Sequence, residues 1–178
     1  RRARLSLVSR PTLEVLQLAA VLGLEPEPDV LAEMTSPAAL DAALDDATAR
    51  GLLVMDPDRG LCFASRLVRD IVYEAIPADV RRAQHAATAA ALATRGTEPT
   101  RLGHHHDLAG QVRAAVPLLH AAGDRAAALL DDTCASRCYR RALLGVRQLI
   151  HTGYDETLGE EAFVALSVKL ADALRARG

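Results

Sequence analysis

Three consecutive histidines, His104-His105-His106, and two cysteines four residues apart, Cys134 and Cys138, are the side chains of this 178-residue chain whose types suit metal chemistry. Helical geometry argues against a site. Consecutive helical residues point about 100° apart, whereas two ligands on one helix stand at i and i+4. Thr100, Arg101 and Leu102 lie four residues before the histidines, and Leu108, Ala109 and Gly110 four after. None of these six is a usual metal ligand. Cys134 and Cys138 do have the i, i+4 spacing, but no adjacent pair completes a tetrahedral set. Their expected role is the packing of small thiols in a helix interface, and no metal is expected.

Other chemistry is equally sparse. There is no Gly-x-Ser-x-Gly, no local Cys–His signature and no carboxylate pair in a recognisable site, so no enzyme is expected. No Gly-x4-Gly-Lys-Ser/Thr occurs, so the chain lacks the usual cradle for a triphosphate and should bind no cofactor of its own. One feature does point to a ligand. Arg137, Arg140, Arg141 and Arg147 fall at i, i+3, i+4 and i+10, which predicts four guanidinium groups on one side of a helix. No acid lies between Thr133 and Tyr154. The sharper of two readings is that the stripe lines a groove for an acidic partner or an anionic effector. The plainer alternative is a solvated face neutralised by Asp155, Glu156, Glu160 or Glu161.

Helices must position these side chains, because the composition supplies little else. The chain has 35 Ala, 28 Leu, five aromatic residues and no Trp, and 20 of its 21 cations are Arg. Ala and Leu are strong helix formers, and small side chains let helices pack closely. The 23 acidic and 21 basic residues leave a net charge of -2, which argues against a general nucleic-acid coat. The first residues, Arg1-Arg2-Ala-Arg-Leu-Ser, lack the apolar stretch of a signal peptide. No apolar run reaches the roughly 18 residues of a bilayer span. Three cysteines without framework spacing fit a reducing compartment. The expectation is a soluble, cytoplasmic, mainly α protein that does not engage membranes.

Punctuation by Pro and Gly divides the chain. Helices are predicted over 11–22, 29–34 and 37–50, the first nearly apolar all round and hence central. Leu40, Ala43, Leu44 and Ala47 should face the core. Leu52–Met55 and Leu61–Ala64 flank Asp56-Pro-Asp-Arg-Gly60 and read as a hairpin. A helix over 66–76 ends before Pro77. Three helices, a hairpin and a helix make the order of a winged helix. Beyond Pro77 come helices over 79–95, 102–109, from Val112 onward, and 156–177. Pro117 is expected to bend the helix that contains it by removing a hydrogen bond to the carbonyl of Arg113. Ala115-x3-Leu119-x2-Ala122 and Ala135-x3-Tyr139-x2-Ala142 share the small-large-small spacing of tetratricopeptide helices, though 20 residues apart rather than about 34. The final helix has no following partner in the sequence, which suggests a fragment. A winged helix invites a DNA-binding reading, and charge opposes it. The third helix carries Asp41, Asp45 and Asp46 against Arg50 alone, where phosphate contact needs several cations.

Several short motifs occur in a telling order: Arg4-Leu5, Leu16-x-Leu18-Ala-Ala-Val-Leu-Gly23, Leu40-x3-Leu44-x6-Gly51-Leu-Leu-Val54, Phe63-x-Ser65-x-Leu67-Val-Arg-Asp70-x2-Tyr73-x2-Ile76-Pro77 and Arg81-Arg82-x2-His85. Together they resemble the segment that follows the nucleotide-binding module in STAND-class signal-transducing ATPases. These include the large ATP-binding LuxR-type transcriptional regulators and ATPase modules fused to kinases or adenylate cyclases. Leu102-x2-His105-His106, Ala114-Ala-Val-Pro-Leu-Leu119 and Arg140-Arg-Ala-Leu143 resemble the start of their tetratricopeptide-like sensor region. Ala165-Leu-x3-Leu170-Ala-Asp-Ala-Leu174-x3-Gly178 resembles the first helix of a further repeat.

The resemblance implies a winged-helix domain over 1–77 and a truncated tetratricopeptide-like region over 78–178. It implies a non-catalytic regulatory fragment that couples an effector or partner on the helical repeats to an upstream module holding ATP or ADP. A free-standing helical scaffold for peptides is the alternative. The hairpin end and following helix, Phe63, Ser65 and Arg69, would lie nearest that module. Such hairpins commonly end Phe-x-His with the His near the diphosphate. Here Phe63-Ala64-Ser65 offers only a hydroxyl, and the favoured reading of Ser65 is a cap for the helix beginning at Arg66. Arg69 either meets a phosphate or lays its stem on the surface with its head in water.

Overall fold

Phe63 ties the hairpin to the segment after the first helix through its backbone amide, which donates to Leu24 O at 2.9 Å, while the Ala64 amide extends the hairpin ladder to Leu52 O at 3.0 Å. The computed structural model describes residues 8–153 and 156–177, with the side chains of 156–158 left aside. Arg4-Leu5, Asp155 and Gly178 lie outside the described residues. The described chain is mainly α, with one two-stranded antiparallel hairpin, and divides into two compact units, residues 1–91 and 92–178.

The first unit runs α1 (Arg10–Leu22), α2 (Pro28–Met34), α3 (Pro37–Ala49), β1 (Leu53–Asp56), β2 (Gly60–Phe63) and α4 (Arg66–Glu74), the winged-helix order. Ser9, Ser36 and Ser65 each accept a backbone N–H at the start of α1, α3 and α4. Such caps satisfy donors that the first helical turn leaves open. Helix α1 packs against α2, α3 and α4, and its Leu16, Ala19 and Ala20 are fully buried, as expected of a central helix. On α3, Leu40, Ala43 and Ala47 are buried, while Leu44 is only half-buried. The hairpin pairs Leu53 with Phe63 and Asp56 with Gly60. Its turn is held by Asp56 Oδ1, which accepts from the amides of Asp58 and Arg59 at 3.0 Å each. Gly60 follows at φ +76°, a left-handed value that a side chain would strain.

Helix α5 (Ala78–Ala93) lies mostly in the first unit, so the contact boundary falls inside this helix and not at Pro77. The reason is a buried polar seam. His85 and Thr88 are 1% and 0% exposed, and Tyr73 Oη of α4 lies 2.9 Å from His85 Nε2. Thr88 Oγ1 bonds Gln84 O at 2.8 Å and packs on Met34 of α2.

The second unit stacks α6 (Pro99–Leu108), α7 (Val112–Ala128), α8 (Asp132–His151) and α9 (Glu156–Ala176), each on the next. Helix α6 starts earlier than the predicted 102, because Pro99 can occupy the first turn without losing a bond. Helix α7 continues through Pro117. All six positions of the repeated spacing are buried: Ala115, Leu119 and Ala122 on α7, and Ala135, Tyr139 and Ala142 on α8. Close approach is needed here. A Cβ on Gly123 would stand 2.5 Å from Tyr139 Cδ1, and one on Gly145 would stand 2.7 Å from Val116 Cγ2.

Candidate functional site

The arginines of α8 do not form one stripe in the fold. Arg137 and Arg141 face a cavity of about 460 Å³ shared with α6, while Arg147 faces a different one of about 660 Å³ beside α9. Arg140 is exposed. On a helix, residue 147 lies about 80° back from residue 137 and residue 141 about 40° forward, so neighbouring helices divide the set. Only the first two share a site.

Helix α6 supplies the opposite wall of that cavity with Thr100, Arg101 and His104, and Glu98 stands at its N-cap. The three-residue connections between successive helices bring α6 and α8 to the two sides of α7, whose Leu119 forms an apolar floor with Cys138. Arg141 is fixed in place. Its Nε donates to Asp107 Oδ2 at 2.6 Å, with a second bond from Nη2 to the same oxygen, and its Nη1 lies 3.3 Å from His104 Nδ1. A guanidinium only donates, so that ring nitrogen is the acceptor and carries no proton. Arg137 is exposed and lies 3.9 Å from Cys134 Sγ. Among the described residues it meets no carboxylate within ion-pair distance. Glu98 is drawn off by Arg125 at 2.9 Å.

The thiols behave as packing. Cys134 and Cys138 are free, with their sulfurs 4.0 Å apart. Burial first, then the neighbouring Cys134, pushes the Cys138 thiol up to about 11, so it is not a ready nucleophile. The three histidines diverge: His105 is buried, His106 Nδ1 lies 2.6 Å from Gln111 Oε1, and His104 meets Arg141. Among the described residues, no three His, Cys, Asp or Glu side chains are placed to hold a metal. Of the six residues four positions from the histidines, Thr100 and Arg101 nevertheless line the arginine cavity. Sequence reasoning missed them because it tested that helix only for chelation. The signal was the i, i+3 spacing of Arg101 and His104, which puts both on one face.

The residues expected nearest a nucleotide have structural partners within the first unit. Phe63 is a core side chain, 4% exposed. Ser65 Oγ accepts from Val68 N at 3.3 Å and is the cap of α4. Arg69 neither lies free on the surface nor extends into water. Its Nε donates to Ala20 O at 2.8 Å, in the last turn of α1, and its guanidinium sits 4.4 Å from the Tyr73 ring centre. Arg81 covers the same ring at 4.9 Å. Helix α1 has no basic residue in its own last turn, so Arg69 supplies the cation that its carbonyl end favours.

A third cluster joins α7, α8 and α9. Tyr139 Oη donates to Asp124 Oδ1 at 2.8 Å, Lys169 Nζ reaches the same oxygen at 2.6 Å, and His120 Nε2 lies 2.8 Å from Lys169 Nζ. Burial raises the pKa of Asp124, but the bonds from Lys169 and Tyr139 outweigh it and hold the carboxyl below the ordinary range. No helix among the described residues is long and apolar enough to cross a membrane. Comparison with protein-family models, with curated proteins and with solved structures finds no match to this chain.

Proposed function

We propose that the chain is a non-catalytic regulatory segment of a multidomain STAND-class ATPase, acting in the cytoplasm. In this reading an effector or partner on the helical hairpins is coupled to the nucleotide state of an upstream P-loop module that holds the ATP or ADP. The observation that carries the proposal is the arginine-walled cavity of the second unit, a built concave site. Its volume of about 460 Å³ lies in the usual range for small-ligand pockets, roughly 300–1,000 Å³. The winged-helix unit serves contact with protein, since α3 presents Asp41 and Asp45 to solvent.

The test is a reading frame in which a P-loop module precedes Arg1. In that longer protein, Arg137→Ala should weaken regulation of nucleotide hydrolysis while leaving the fold intact. Unchanged regulation, or no such module, removes the proposal. A second reading, a free-standing scaffold for peptides, draws on the other cavity, where Ile150, Phe163 and Val164 give an apolar floor beside Arg147.

A further inference from the structure

We propose that the cavity between α6 and α8 binds a small phosphate monoester, with Arg137 and Arg141 on the phosphate and Leu119 and Cys138 against the organic part. This rests on the reading of the second unit as the part that receives an effector, and it names the chemistry of that effector.

Charge comes first. Three guanidinium groups line the cavity against one carboxylate, Glu98, and that carboxylate is paired with Arg125 at 2.9 Å. Arg137 and Arg141 differ in what already holds them. Arg141 is held by Asp107 in a two-pronged contact, so it acts as a fixed donor plane with reduced net charge. Arg137 keeps its charge, because its contact among the described residues is the Cys134 sulfur at 3.9 Å. An anion entering the cavity therefore meets an uncompensated guanidinium beside a preorganised one. That pairing of two guanidinium donor groups favours an anion with several acceptor oxygens, which a phosphate monoester has.

Shape comes second. Thr100 adds a hydroxyl at the start of α6, where backbone amides and the helix dipole favour an anion. A cavity of about 460 Å³ is far larger than a phosphate group. Its remaining floor, Leu119 and buried Cys138, is apolar and matches an organic substituent instead of bulk water. An inorganic ion would leave that floor unused. A bare peptide carboxylate would bring two acceptor oxygens where a phosphate brings three.

The experiment is calorimetric titration of the 178-residue chain at low salt with inorganic phosphate, a nucleoside monophosphate, a hexose phosphate and citrate. One-to-one binding of a phosphate monoester, tighter than inorganic phosphate and citrate, is expected. Arg137→Gln should weaken it about tenfold, as expected for one charge-assisted contact pair. Arg147→Gln, in the other cavity, should leave it unchanged, and both variants should melt with the parent. The two ester probes tell a nucleotide from a sugar phosphate as the source. The proposal is overturned by no saturable binding of either ester, by citrate binding as tightly as the esters, or by equal losses in the two variants. Ester binding with unaltered regulation in the longer protein would leave this site standing and remove the coupling; coupling without ester binding would remove only this site.

Discussion

Arg69 shows how a residue's surroundings decide between two roles that its type leaves equal. A guanidinium suits a phosphate and a helix carbonyl end alike, and here it spans from α4 to the last turn of α1 while lying over Tyr73. Removing it leaves the Ala20 carbonyl without its cation. Arg69→Ala should cost the first unit about 1–2 kcal/mol, mainly from the charged hydrogen bond to Ala20 O and the cation–π contact, with little from the partly exposed pair to Asp70. Hydrogen exchange at the α1 amides is the measurement. A change below about 0.5 kcal/mol, ordinary for a surface substitution, would mean that the bond to Ala20 O does not stabilise α1. Asp124 carries the pH dependence at this scale. Its folded-state pKa is lowered, so its contribution is present above the unfolded value, about 3.9, and is lost as pH falls through the folded one. Asp124→Asn should flatten the acid limb of the stability curve below about pH 4 and lower stability at neutral pH. An identical acid limb in the variant would mean that the Lys169 and Tyr139 bonds do not form in solution.

At the scale of elements, the packing of α7 on α8 depends on missing side chains. Gly123 sits in mid-helix, where Ala is intrinsically better by about 1 kcal/mol. Yet the Tyr139 ring occupies the place of its Cβ. Tyr139 cannot move cheaply, since it is buried and bonded to Asp124. Gly123→Ala should therefore destabilise the second unit, by about 1–3 kcal/mol for overpacking less the propensity gain. Chemical denaturation reads the sign directly, and a stabilised variant would show that α7 and α8 stand further apart. This interface was half legible in the sequence. The Ala–Leu–Ala and Ala–Tyr–Ala spacings predicted which positions face inward. The glycines that lower the separation carried no periodic signal. The hairpin was legible for the opposite reason, because a Pro–Gly turn acts over five residues and needs no distant partner.

For the whole molecule, the division into units and the placing of the charges matter most. The predicted boundary at Pro77 follows local chemistry, a helix stop. The contact boundary inside α5 follows His85 and Thr88, whose burial depends on α4 and α2, which come earlier in the chain. Charge placement bears on nucleic acid. Exposed Asp41 and Asp45 on α3 oppose phosphate contact by the helix that a DNA-binding winged helix would use. A fluorescent duplex titrated at low salt should show no sub-micromolar, salt-sensitive binding. Such binding would overturn the proposal that this unit contacts protein.

Taken by itself, the sequence determined the mainly α character, the order of helices and hairpin, the serine cap at Ser65 and the inward faces of α7 and α8. Each of these follows from interactions within a few residues: helix propensity, capping, turn geometry and the 3.6-residue period. Only the tertiary structure decided which arginines work together. It separated Arg147 from Arg137 and Arg141, joined these two to Arg101 and His104 more than 30 residues away, and turned Arg69 into the cap of another helix. A guanidinium on a long flexible stem takes its role from whatever acceptor the packing brings within reach, and packing across helices leaves no mark on local spacing.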